Sequence, residues 1–126
     1  MSFLPSADRE YFESKGIAFE EIQDGKLKGV ILRKRTLPDG KFDATEVDVL
    51  VLLPPGYPDV PPDMFYIFPW IKLLSNNRYP KAADRPLKFG HENWQRWSRH
   101  NSEWRPGVDG IWTMLKRIEH AIKEAT

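Results

Sequence analysis

FDATEVDVLVLLPPGYPDVPP, residues 42–62, decides the fold. Val47, Val49, Val51 and Leu53 alternate with Asp48, Leu50 and Leu52, so one face of an extended run is wholly apolar and the other turns apolar halfway along. A run of this kind, taken as Phe42 to Leu53, is expected at the centre of a sheet. It stops where five prolines and a glycine between Pro54 and Pro62 remove the donors and the backbone freedom that a ladder needs. The prolines predict a rigid loop leading into a short fourth strand, Met64 to Phe68.

Working outward toward the start, period-two runs cover Ala18 to Gln23 and Lys28 to Thr36. Asp24-Gly25 separates the first pair of runs and Pro38-Asp39-Gly40 the second, both hairpin chemistry, so the strands form an antiparallel meander. Pro5 to Lys15 reads as a first helix, with Asp8 and Glu10 near its positive end and Gly16 as its stop. Leu4, Tyr11 and Phe12 make its buried stripe.

Toward the other end, Trp70 to Phe89 has no periodicity and is expected to be an ordered loop covering the sheet edge. Arg105-Pro106-Gly107 breaks the chain, and Asp109 can cap a helix over Gly110 to Lys123. Its Ile111, Leu115, Ile118 and Ile122 are spaced by four, three and four, a core-facing stripe flanked by Val108 and Trp112. The class expected is α+β: an N-terminal helix, a four-stranded antiparallel meander, a polar loop and a C-terminal helix, one domain over residues 1–126.

The 126 residues suffice for a core without staples, and 5 Trp, 4 Tyr and 7 Phe supply its bulk. No cysteine is present, which excludes disulfides and thiolate chemistry. A net charge of +1 gives no footprint for nucleic acid. No run reaches the ~18 apolar residues of a membrane span, and the first residues carry no signal pattern; a cytoplasmic location is the expectation.

Polar chemistry concentrates in His91 to Trp104, HENWQRWSRHNSEW, which mixes three tryptophans with two histidines, two serines and two asparagines. Trp94, Trp97 and Trp104 are expected to pin the stretch to the core. His91, His100 and Asp109 lack any recognised ligand spacing, so no metal and no other cofactor is expected.

Tyr57-Pro58-x-x-Pro61-Pro62 resembles the YPxxPP signature of the ubiquitin-conjugating enzyme superfamily. Further along, His91-Glu92-Asn93 resembles its HPN motif with Glu92 in place of proline, and Trp104-Arg105-Pro106 resembles its W-S-P. The three occur in the family's order across nearly the whole chain, which most resembles the compact prokaryotic branch. The resemblance implies the ubiquitin-conjugating fold, with the polar stretch as its active-site loop, and two partners, an activating-enzyme-like protein and a ubiquitin-like modifier. It also implies a cysteine nucleophile between HPN and the tryptophan, and this chain has none. Ser98 lies nearest that position and would carry the acyl group as an oxyester, with Ser102 as the second choice. His100, two residues on in extended chain, would take the hydroxyl proton. Asn93 carries over as the amide steadying the oxyanion, His91 as a loop-ordering histidine. Arg9, Glu10 and Glu13 of the first helix are the implied partner contacts. The alternative is a catalytically inactive variant that binds or scaffolds a partner.

Overall fold

A computed structural model describes residues 3–100 and 103–126. Helix α1 (Ser6–Lys15) is followed by strands β1 (Phe19–Asp24), β2 (Leu27–Thr36), β3 (Glu46–Leu53), β4 (Phe65–Phe68), β5 (Arg85–Phe89) and β6 (Glu92–Trp97), and by helix α2 (Ile111–Glu124). The strands form one antiparallel sheet in the order β1-β2-β3-β4-β6-β5.

The α+β class and the meander β1 to β4 hold, but the sheet has six strands rather than four. β5 and β6 make a hairpin around Gly90 and His91, inside the stretch expected to be loop, and β6 rather than a loop covers the edge of β4. β3 also begins at Glu46, not Phe42, because Phe42 leaves the ladder to bridge Leu73.

β2 carries a bulge between Leu32 and Arg35, where Lys34 adopts φ 52°. Asp48 of β3 secures it, accepting from the Lys34 N–H at 3.0 Å and the Arg33 guanidinium at 2.8 Å. Bulges bend and twist the strand that holds them, and here the sheet curls until its last strand meets its first two. The Gly90 N–H donates to Asp24 at the end of β1, 2.9 Å. A Cβ on Gly29 of β2 would lie 2.7 Å from the Phe89 ring of β5, so glycine is required for this approach.

The curl produces two apolar clusters. On one face Val30, Val49, Val51, Ile67 and Trp97 pack against Ile111, Met114, Leu115, Ile118 and Ile122 of α2 and against Phe12 of α1. The predicted helix stripe is therefore core, although Val108 beside it is 54% exposed. On the other face Ile31, Leu50, Tyr66, Phe89 and Trp94 form a smaller cluster inside the curl, covered by the β5–β6 hairpin.

α1 ends at Gly16 in the left-handed conformation, as its sequence predicts. Asp8, near the positive end of the helix as expected, is also buried: it is 1% exposed and binds two distant segments. Its carboxylate accepts from the Tyr57 hydroxyl at 2.5 Å and from the Ile111 N–H in the first turn of α2 at 3.3 Å. Burial pushes the Asp8 carboxyl pKa up, partly offset by these two hydrogen bonds. Asp109 thus does not cap α2 as expected. Gly110 is the N-cap, and Asp109 accepts instead from the Arg105 backbone and guanidinium, at 2.8 and 3.0 Å, and from the Thr113 hydroxyl at 3.1 Å. No helix among the described residues is long and apolar enough to cross a membrane.

Candidate active site at the end of strand β6

β6 is the strand that positions the site, and its middle is fixed by a buried amide. Gln95 is fully buried, with all its hydrogen-bonding capacity used. Its Oε1 accepts from the Ile71 N–H at 3.1 Å and from Trp97 Nε1 at 3.2 Å, and its Nε2 donates to the carbonyls of Ile71 at 3.0 Å and Ala83 at 2.9 Å. The glutamine holds the 69–84 connection against β6, with Ile71, Leu73 and Ala83 of that connection in the core. Trp94 and Trp97 are buried on either side of it, 2% and 0% exposed, and Trp104 donates from Nε1 to the Pro58 carbonyl at 2.8 Å. The tryptophans pin the stretch, as expected. Trp104 fastens the chain after the site to the proline-rich loop, whose Tyr57–Pro58 bond is cis.

Just past β6, the Ser98 N–H donates to the Ala82 carbonyl at 3.0 Å, fixing the backbone that carries the hydroxyl. Ala82 holds φ 57°, a left-handed conformation that a non-glycine residue adopts at a cost of roughly 1 kcal/mol or more. Arg99 lies over the Trp97 ring, 5.2 Å from its centre, and burial lowers its pKa. Ser98 and His100 stay on one side of the extended chain, and Ser98 Oγ is 3.5 Å from His100 Nε2. A separation of this size is usual before a substrate tightens the contact.

The third member was not anticipated. Asp63 Oδ1 lies 3.0 Å from His100 Nδ1. The β4–β6 register explains the meeting: Phe65 pairs with Trp97, so two residues earlier on one strand stands opposite two residues later on the other, between Ser98 and His100. No local pattern in Pro61-Pro62-Asp63-Met64 could have revealed it, since the signal is the pairing of β4 with a strand that the sequence reading lacked. The tautomer that donates Nδ1–H to Asp63 leaves Nε2 as the acceptor facing the serine hydroxyl, an arrangement with the geometry to supply a nucleophile, a base and an orienting carboxylate. The group sits at the mouth of a groove of about 590 Å³ between α2 and the 81–82 turn, lined by Phe65, Lys81, Arg117 and His120 among others.

The other expected residues stand elsewhere. Asn93 and His91 are exposed at the opposite end of β6, Asn93 five residues of extended chain and roughly 16 Å from Ser98 and His91 farther still, in the turn before the strand. The Asn93 carbonyl accepts from Trp70 Nε1 at 2.9 Å. Ser102 lies outside the described residues. On α1, Glu10 and Glu13 are exposed, but Arg9 is engaged in the fold: it donates to the Leu4 carbonyl at 2.9 Å and pairs with Glu21 at 3.4 Å. Among the described residues no group of three or more His, Asp or Glu could hold a metal.

No curated protein and no solved structure matches the chain. A family model does, over residues 4–125, and it is consistent with the order of motifs and with the curled antiparallel sheet between two helices: the chain belongs to the prokaryotic E2 family E, a ubiquitin-conjugating-like family.

Proposed function

We propose that this domain accepts a ubiquitin-like modifier from an activating-enzyme-like partner and carries it as an oxyester on Ser98. The observation that carries the reading is the line Ser98 Oγ, His100, Asp63 at 3.5 and 3.0 Å. A serine hydroxyl is a weak nucleophile until a base takes its proton, and this arrangement supplies the base and its orienting carboxylate. The modifier's terminal carbonyl arrives as a thioester on the partner. Ser98 Oγ bonds to the carbonyl carbon, the carbon–sulfur bond breaks, and the serine proton passes through His100 Nε2 to the departing sulfur. Asp63 holds the imidazole and stabilises its cationic form during transfer.

Incubation with the partner, the modifier and ATP is expected to give an adduct that survives thiol reductant and is cleaved by hydroxylamine. Ser98→Ala should abolish it. Mass mapping distinguishes Ser98 from Ser102 and from lysine, and an adduct on Ser102 would move the nucleophile while keeping the chemistry. The exposed carboxylates Glu10 and Glu13 of α1 are the proposed partner contacts; reversing both should weaken association while changing stability by less than about 0.5 kcal/mol each.

One observation favours a binding role without chemistry: the asparagine that the HPN-like motif would offer to the oxyanion lies at the far end of β6. Intact binding to modifier or partner with no adduct would select that role.

A further inference from the structure

We propose that the same three residues also discharge the acyl group to water, so that the domain is a slow serine esterase as well as a carrier. The proposal rests on the reading of Ser98 as the acyl-bearing atom. Two observations carry it further: the geometry of the base and the openness of the site.

Once Ser98 is acylated, its proton has left with the departing group and His100 Nε2 is again a free base. Asp63 still orients the ring at 3.0 Å. The imidazole then faces whatever nucleophile occupies the space beside the ester. Water reaches that space, because the side chains of His100 and Asp63 are 69% and 57% exposed and the groove beside them is open to solvent. Sites that preserve a reactive intermediate exclude water; this one admits it. In the discharging step the water oxygen bonds to the acyl carbon, the bond from that carbon to Ser98 Oγ breaks, and the proton taken from water by Nε2 is returned to Oγ. No further reactant is needed.

An amine entering the groove would compete with water for the same ester. Retention of the modifier would therefore depend on how fast an acceptor arrives, and the domain alone would be self-clearing.

The test uses the full chain with p-nitrophenyl acetate and neither modifier nor partner. Expected are a stoichiometric burst of nitrophenol, slower steady turnover, and an acetyl group on the Ser98 peptide when the reaction is quenched in acid. Ser98→Ala should remove both phases, His100→Gln should slow them by ~10²–10⁴-fold, and Asp63→Asn should slow them less, with partial rescue by Asp63→Glu. Unchanged hydrolysis in Ser98→Ala, which would make the imidazole itself the nucleophile, overturns the proposal. So does acetylation confined to lysines. A modifier adduct on Ser98 that shows no loss to water over hours would overturn this inference alone, whereas ester turnover without any modifier adduct would overturn only the carrier role.

Discussion

The two ends of strand β6 are built in opposite ways. At its start Glu92 and Asn93 stand exposed beside the Gly90-His91 turn, the place where the family-like motif lies. At its finish Ser98 and His100 meet a carboxylate from β4's approach, with the serine backbone fixed to Ala82. Between them Gln95 is locked on four sides. The residues that match the family's HPN motif stand at the turn where the strand begins, while Ser98, His100 and Asp63 gather where it finishes.

The sharpest way to break this contrast is at the finish. His100→Ala should slow adduct formation by ~10²–10⁴-fold, equivalent to roughly 3–5 kcal/mol of barrier, with the denaturation midpoint nearly unchanged because the side chain is exposed. Equal loss of stability would make His100 structural. Next, Gln95→Leu should destabilise the domain by about 2–4 kcal/mol in chemical denaturation, since it orphans the Ile71 N–H, two carbonyls and Trp97 Nε1 in the core. A neutral result would mean that the 69–84 connection does not depend on β6.

A pH titration bears on the segment that follows the finish. Arg105, by its side-chain and backbone donors, pulls the Asp109 pKa from 3.8 down to about 2. A depressed carboxylate stabilises the fold above its unfolded value, and the contribution disappears as pH falls from about 4 to 2. Asp109→Asn should flatten the acid limb of the stability curve in that window; an unaltered limb would show that the pair contributes nothing. Asp8 is shifted the opposite way, by burial, so its ionisation weakens the fold as pH rises and it cannot produce the same limb. The smallest effect is expected at the strand's start. Asn93→Ala should change acyl transfer by less than about threefold, under 1 kcal/mol, and a loss as large as that of His100→Ala would show that the start of β6 does join the chemistry.

How much could be read from the sequence follows from the range of each signal. The alternation in β3 and the stripe in α2 are local periodicities, and both elements form nearly where predicted. The β5–β6 hairpin was missed because its alternation is spoiled on both strands. β5 is an edge strand with Arg85, Pro86 and Lys88 turned to solvent, and β6 buries a glutamine where an apolar residue would have revealed the period. The Ser98–His100 pairing was legible because two residues in extended chain share a side. Asp63 was not, for it lies 37 residues from His100 and only strand register brings it there. Arg9 looked like a surface charge on its helix; its tie to Glu21 depends on where β1 runs.

The Asp8 carboxylate joins residues 103 positions apart, closing the first turn of the last helix from within the first. In kinetic terms this is a late contact with a high loop-closure cost, worth nothing until both ends of the chain are present. In a growing polypeptide leaving the ribosome, the opening turn of α2 can form its local bonds, but the Ile111 N–H gains this partner only once α2 packs against α1. Emergence of α2 is then the step at which the first helix acquires its second task, and chains cut short of Ile111 should leave the Asp8 carboxyl with Tyr57 but without this partner.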